Sequence, residues 1–164
     1  MREMIIIAHD MRSTFNVGSL LRTSEGMGIK KVYLTGYTPY PKMSGDSRLP
    51  HLIAKLDKQI NKTALGAEHY LDWEYNENIF TVIDKLEEQK YKVAALEQSN
   101  TALELHKFSP PNKFALILGN EVSGISEEIL NSVKLHLSIP MQGRKESFNV
   151  VIAAAMAMYQ SRFY

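Results

Sequence analysis

Three polar clusters in the chain hold residue types that can act on a phosphate, a hydroxyl or a bound organic cofactor. The first runs Asn16-Val17-Gly18-Ser19-Leu20-Leu21-Arg22-Thr23. Asn16 stands at the start of an apolar-periodic stretch and Arg22 follows six residues on, so both can face one space above a helix N-terminus, where free N–H groups suit a phosphate. The second, Gly119-Asn120-Glu121-Val122-Ser123-Gly124, sets a carboxylate between two glycines at the end of an apolar run. The third, Pro140-Met141-Gln142-Gly143-Arg144-Lys145-Glu146-Ser147-Phe148-Asn149, leads into the last apolar stretch. Singly, each has a plain local reading: a helix capped by Asn16 with an exposed arginine, a strand-to-helix turn, and a surface loop closed by Ser147 as a cap.

Other chemistries find little support. The five histidines are scattered without ligand spacing and cysteine is absent, so neither a structural metal nor a thiolate nucleophile is expected. Gly26-Met27-Gly28 continues as Ile29-Lys30-Lys31 and ends a helix rather than opening a dinucleotide fingerprint.

The elements that must position these clusters alternate from end to end. Met4–Ala8 reads as a buried strand, and Val17, Leu20, Leu21, Ser24 and Met27 mark one face of the helix that follows. Val32–Thr35 is a second strand, residues 36–50 with three prolines and two glycines are loop, and helices are predicted over 51–62 and 78–89. Tyr91–Leu96, Phe114–Leu118 and Leu135–Ile139 are strands; Ser126 caps a short helix, and an apolar helix runs from Phe148 to about Arg162. Strands alternating with helices predict an α/β domain on a mostly parallel sheet with helices on both faces. In such sheets ligands sit beyond the carboxyl ends of the strands, which is where residues 95–100, 119–124 and 140–147 fall.

Length and composition bound the rest. At 164 residues, 45% hydrophobic and 23% charged, the chain reads as a single domain over 1–164 with no separate second domain. The longest apolar run, Val150 to Tyr159, is too short for a bilayer, and the opening residues read as a first strand of a cytoplasmic protein. Residues 1–60 carry nine Lys/Arg against five Asp/Glu, 61–132 carry six against twelve, and 133–164 four against one. If the chain ends meet in space, they form a basic face suited to a polyanion; scattered solvated charge is the other reading.

Taken together and in this order, the clusters resemble the three signature motifs of the SpoU/TrmH family in the SPOUT superfamily of RNA methyltransferases. The pattern N-x-G-x-x-x-R-T is matched by Asn16, Gly18, Arg22 and Thr23; G-N-E-x-x-G by Gly119, Asn120, Glu121 and Gly124. The pattern I-P-M-x-G-x-x-E-S-L-N-V is matched from Ile139 to Val150, with Phe148 in place of the usual leucine. The resemblance covers essentially the whole chain.

It implies a C-terminal deep trefoil knot, the SPOUT or alpha/beta knot, and a homodimer. It also implies transfer of a methyl group from S-adenosylmethionine to a ribose 2′-hydroxyl of RNA. Carried over residue by residue, Arg22, Asn16, Glu121, Ser147 and Asn149 are the implied catalytic residues, with the arginine reaching the site across the dimer interface. The implied cofactor-binding positions are Ala95, Leu96 and Glu97, then Leu118, Gly119 and Glu121, then Ile139, Met141, Ser147 and Asn149. RNA contacts are expected from Arg12, Arg22, Lys30, Lys31, Lys42, Arg48, Arg144 and Lys145. The segment Lys62–Glu68 also looks like a stretch found in compact relatives, or is a turn before a strand. The loop 37–50 folds over RNA or is simply mobile. The RNA is expected to be tRNA, with rRNA as the alternative. A non-catalytic RNA-binding or ribosome-assembly module on the same fold stays open, and so does a flavodoxin-like nucleotide-binding domain.

Overall fold

Seven strands, all parallel, form one sheet in the order β3-β2-β1-β6-β4-β7-β5 in this computed structural model, which describes residues 2–99 and 101–164. The strands are β1 (Glu3–His9), β2 (Lys31–Thr35), β3 (Trp73–Asn76), β4 (Lys92–Leu96), β5 (Leu103–Glu104), β6 (Lys113–Leu118) and β7 (Leu135–Ser138). The helices are α1 (Thr14–Gly26), α2 (Pro50–Ala64), α3 (Ile79–Glu88), α4 (Glu127–Ser132) and α5 (Val150–Phe163), with single 3₁₀ turns at Ala67–His69 and Leu105–Lys107.

The sheet is covered on both faces, and the strands sort their side chains by the two-residue alternation of extended chain. Ile6 and Ala8 of β1, Leu34 of β2 and Leu116 and Leu118 of β6 pack with Val17, Leu20 and Leu21 of α1, Ile60 of α2 and Ala154 and Met158 of α5. Ile5 and Ile7 of β1, Tyr33 of β2 and Ala115 and Ile117 of β6 pack with Val82, Ile83 and Leu86 of α3 and Ile129 of α4. Because both faces are buried, these strands read as unbroken apolar runs, which is why the sequence identifies them.

Two strands have no such signature. All four residues of β3 are half-buried at one edge, and β5 is two residues long at the other. The helix boundaries also shift. Ser13, not Asn16, caps α1: its hydroxyl accepts the Asn16 N–H at 3.2 Å, which puts Asn16 inside the first turn. Asn149, not Ser147, caps α5, accepting the Val151 N–H at 2.9 Å.

Chain order reverses at the β1–β6 pair, since β2 and β3 lie to one side of β1 and β6, β4, β7 and β5 to the other. That reversal is the topological switch point, where two connections leave in opposite directions and open a crevice beyond the strand ends. The last strand of the chain, β7, sits between the earlier strands β4 and β5.

Gly18 lets α1 and α2 touch. A Cβ there would lie 2.2 Å from both the Ile60 carbonyl oxygen and the Thr63 hydroxyl, so a methyl group would drive the two helix backbones apart. Gly18→Ala is expected to destabilise the fold by about 1–3 kcal/mol, as overpacking does. Urea unfolding followed by circular dichroism checks it; an unchanged midpoint would show that the helices have room to spare.

Candidate active site

Beyond the carboxyl ends of β4, β6 and β7, three loops close round a cavity of about 390 Å³. Leu96, Leu118, Ile139 and Val150 supply apolar wall, while Glu97, Gln98, Asn120, Glu121, Ser147 and Asn149 supply polar groups. The size falls within the range of small-molecule sites, and the balance of apolar wall with a few polar groups is typical of them.

The turn after β6 is rigid for local reasons. Asn120 and Gly124 exchange both backbone hydrogen bonds at 3.0 Å, and the Asn120 side-chain oxygen accepts the N–H groups of Val122 and Ser123. Gly124 adopts φ +68°, and a Cβ there would lie 2.3 Å from a carboxylate oxygen of Glu97. Glycine therefore serves twice, taking the left-handed turn and leaving room for that carboxylate. Glu97 in turn accepts from the N–H groups of Ile125 and Gln98, and Gln98 donates to the Ile139 carbonyl at 2.7 Å. The loops after β4, β6 and β7 are thus bonded to one another, the first to each of the other two.

Glu121 ties this turn to the start of α1. One carboxylate oxygen accepts the Arg12 N–H at 2.8 Å; the other accepts the Ser13 N–H at 3.0 Å and the Asn16 side-chain amide at 2.9 Å. The Asn16 side-chain oxygen then accepts from the Asn149 amide at 3.3 Å, and Asn149 caps α5. A carboxylate is an acceptor only, so it must face the NH₂ of Asn16, and that in turn fixes which way the Asn149 amide points. Burial pushes the Glu121 pKa up, but the bonds from the Arg12 N–H, the Asn16 amide and the Ser13 N–H outweigh it and hold the carboxyl below its ordinary value. Glu121 is therefore a poor proton acceptor and a strong anchor.

Eight of the expected cofactor positions line the cavity: Leu96, Glu97, Leu118, Gly119, Glu121, Ile139, Ser147 and Asn149. Ala95 and Met141 do not. Ala95 lies inside β4 with its side chain in the core against α3 and α4, one residue too early to reach the rim, and Met141 lies outside the cavity wall. Asn100, at the end of the loop after β4, lies outside the described residues. The cavity also takes Gln98, Asn120, Val122, Gly124, Phe148, Val150 and Ala153. Ala153 follows from helix geometry, since it stands one turn after Asn149, but only once α5 is known to start at Val150.

Arg22 is not at this cavity. Six residues along a helix is a rotation of about 120° from Asn16, so the two side chains leave α1 in different directions, and Arg22 is exposed. The expected shared space above the helix N-terminus does not exist within one chain.

The basic residues divide. Lys30 pairs with Glu3 at 2.6 Å, and Lys31 with Glu74 at 2.9 Å and Asp72 at 3.4 Å; both lie at the amino end of β2, across the sheet from the cavity. Arg48 is consumed internally, bonded to Asp46, to the carbonyls of Tyr40 and Pro41, and stacked 3.5 Å over the Tyr40 ring. Arg12, Lys42, Arg144 and Lys145 are exposed on the loops at the carboxyl end. Of the segment Lys62–Glu68, Thr63 and Ala64 pack at Gly18, while the Glu68 carboxylate accepts from Asn61; it supports the α1–α2 contact and stands apart from the cavity.

An α/β fold in which three interlocked loops close round a ligand-sized cavity beyond the carboxyl ends of the strands is a fold with a small-molecule site. The model of the SpoU rRNA Methylase family matches residues 3–159, and the chain belongs to that family. It is 26% identical over 158 residues to the tRNA (guanosine(18)-2′-O)-methyltransferase of Borreliella burgdorferi, covering 95% of this chain and 64% of that protein. The chain thus spans less than two thirds of that relative. Among solved structures it is similar to the TrmH/SpoU tRNA modifying enzyme of A. aeolicus, with a TM-score of 0.80 at 18% identity over 99% of this chain and 75% of that one. It is also similar to the AdoMet-bound rRNA methyltransferase of Sinorhizobium meliloti, with a TM-score of 0.79 at 19% identity over 98% of this chain and 56% of that one.

Replacing Glu121 by glutamine removes the charge that two backbone N–H groups and an amide share, and its own NH₂ then faces one of them. Glu121→Gln is expected to cost about 1–2 kcal/mol at neutral pH. Because the carboxyl pKa is lowered on folding, this contribution is complete above the usual 4.5 and disappears as pH falls through the lowered value. Urea midpoints of the two proteins should therefore converge on acidification below about pH 4; a gap that stays constant would mean the charge contributes nothing.

Proposed function

We propose that the chain is an S-adenosylmethionine-dependent RNA methyltransferase acting on a ribose 2′-hydroxyl, with tRNA as its substrate. The observation that carries this reading is the convergence of three loops on one apolar-walled cavity whose polar end is the Glu121–Asn16–Asn149 chain. Membership of the family and the names of its relatives, a tRNA methyltransferase and an AdoMet-bound rRNA methyltransferase, support the chemistry.

The cavity fits the cofactor. Leu96, Leu118, Ile139 and Val150 suit the faces of an adenine ring, and the loop backbones at 97–98, 119–121 and 139 suit its edge and the sugar. When bound, S-adenosylmethionine supplies a methyl group on a positively charged sulfur. The chain's own residues have the other tasks. Asn16 and Asn149 each keep one amide hydrogen with no partner among the described residues, and these donors serve a hydroxyl or a developing alkoxide oxygen. The N–H groups on Glu121 hold its carboxyl below the ordinary value and make it a poor general base, while Glu97 is engaged in holding the Gln98 and Ile125 N–H groups.

Arg22 comes from a second copy of the chain. It is exposed and away from its own cavity, and the outer face of α5 leaves Ile152, Tyr159 and Phe163 exposed for a symmetric partner. A guanidinium stays protonated at neutral pH, so Arg22 fixes a phosphate and stabilises the alkoxide by charge rather than removing a proton. The position of β7 between β4 and β5 supports the reading that the C-terminal segment forms the family's knot. The single domain works in the cytoplasm; among the described residues no helix is long and apolar enough to cross a membrane.

Calorimetry with S-adenosylmethionine, with flavin mononucleotide as a contrast, tests the cavity, and transfer of labelled methyl to bulk tRNA and rRNA tests the reaction. Binding of cofactor without transfer to either RNA would make the chain a scaffold, and binding of flavin alone would overturn the reading. Arg22→Lys is expected to keep a measurable rate, reduced about tenfold, with weaker RNA binding, and Arg22→Ala to lose about a hundredfold. If Arg22→Lys keeps full RNA affinity with no turnover, fork geometry or proton removal outweighs charge. Mixing Arg22→Ala with Asn149→Ala protein should restore activity above either parent, because one of the two sites in a mixed dimer is then intact.

A further inference from the structure

A second hollow lies beside the cavity, and residues that line the one are hydrogen-bonded to residues that line the other. Glu121 and Asn120 line the cavity; Glu121 holds the backbone of Arg12 and Ser13, and Asn120 donates to the Tyr37 hydroxyl at 2.8 Å. Arg12, Ser13 and Tyr37 line the second hollow, which runs between the start of α1, α2 and the loop after β2. We propose that this groove binds an unpaired nucleotide of RNA flanking the one that is methylated, stacking its base on Tyr37 and holding its phosphate with Arg12 and Lys55.

Three observations carry this. The groove wall has three cations, Arg12, Arg48 and Lys55, and no carboxylate. Arg48 is spent on Asp46 and on the loop backbone, which leaves Arg12 and Lys55, neither of which has an acidic partner among the described residues. Second, the wall carries large aromatic surface in the open: the Tyr37 residue is 60% exposed and Phe15 50%. An exposed aromatic beside unpaired cations is the composition that binds single-stranded nucleic acid, where stacking is available to any base and charge follows the phosphates. Third, Tyr37 is held at both ends. Its N–H donates to the Asp10 carboxylate at 3.0 Å and its hydroxyl accepts from Asn120, so the ring is fixed at the exposed position before any ligand arrives.

A stacking platform needs a base out of its helix, because paired bases show only their edges. The groove therefore takes a loop or a single strand rather than a duplex. Its backing is stiff: Tyr40 stacks on Tyr75 at 4.0 Å with the Arg48 guanidinium on the ring, and the Tyr75 hydroxyl donates to the Gly36 carbonyl. The loop 37–50 thus has a pinned beginning, and Arg48 acts by shaping the groove rather than by touching phosphate.

This inference rests on the RNA-methyltransferase reading but is tested apart from it. The full chain and its variants are titrated into a short fluorescein-labelled single-stranded RNA of mixed sequence, and into the same RNA paired with its complement, at several salt concentrations. Tyr37→Leu keeps bulk and loses the ring; it should weaken single-strand binding about tenfold and leave duplex binding unchanged, while Tyr37→Phe stays within about twofold. Lys55→Ala should flatten the dependence of log affinity on log salt by about 0.7, the contribution of one phosphate on a single strand. Lys92→Ala, at the far end of the sheet, should leave that slope as it is. Wild-type affinity and slope in both Tyr37→Leu and Lys55→Ala, or equal losses on single strand and duplex, overturn the groove. Calorimetry with S-adenosylmethionine and methyl transfer by the wild type separate the failures. If the wild type transfers methyl groups while the variants bind RNA unchanged, only the groove falls; if it binds neither RNA nor cofactor, both readings fall.

Discussion

A single carboxylate joins the two halves of this molecule's functional edge. Glu121 leaves the turn after β6 and accepts from the Arg12 and Ser13 backbone and the Asn16 amide at the head of α1, more than 100 residues earlier in the chain. Without it three donors at the start of α1 would lose their protein partner, two of them half-buried. With it, α1, the β6 turn and, through Asn149, the head of α5 become one hydrogen-bonded unit. The lowered pKa of Glu121 follows from the same bonds, so the feature that orders the site also removes this group from acid–base work.

The parallel sheet is what makes such a unit possible. With every strand pointing the same way, the loops after β1, β4, β6 and β7 emerge on one edge, and the reversal of chain order between β1 and β6 opens the crevice there. Two apolar layers clamp the sheet from both faces, with Phe114, Leu116 and Ile117 of β6 wholly buried at its centre. The rigid strands hold the loops at fixed separations; the bonds of Glu97 and Gln98 lock the loops after β4, β6 and β7 to one another, and Asn120 ties the β6 turn to Asp10 and Tyr37. Preorganisation of this kind fixes the positions of hydrogen-bond donors before any ligand arrives, so no reorganisation is needed on binding.

The arrangement also separates two kinds of positive charge. Lys30 and Lys31 spend theirs on Glu3, Asp72 and Glu74 at the amino end of the sheet, and Arg48 on Asp46 inside the loop after β2. Arg12, Arg144 and Lys145 stand on the carboxyl-end loops, beside the cavity. A net charge of +1 hides this division, because Lys30, Lys31 and Arg48 are paired with acids while Arg12, Arg144 and Lys145 have no acidic partner among the described residues.

By itself the sequence determined the central strands, the main helices and the three loops that meet at the cavity. Strands buried on both faces must be continuous apolar runs, and the turn after β6 needs Gly119 and Gly124 among polar neighbours, where a Cβ would meet Gly124 backbone or the Glu97 carboxylate. The edge strands β3 and β5 were not legible, since half-buried or two-residue strands carry no periodic signal. The tertiary structure alone decided the fate of Lys31, which meets Asp72 and Glu74 only after folding brings β2 beside β3. It alone showed that Ser13 caps α1 and that Arg22 turns away from Asn16, and it alone put Ala95 behind the cavity wall. Those outcomes depend on where a helix begins and how a strand is registered. A shift of a few residues rotates a helical side chain to another face, and a shift of one reverses a strand's, while the composition stays the same.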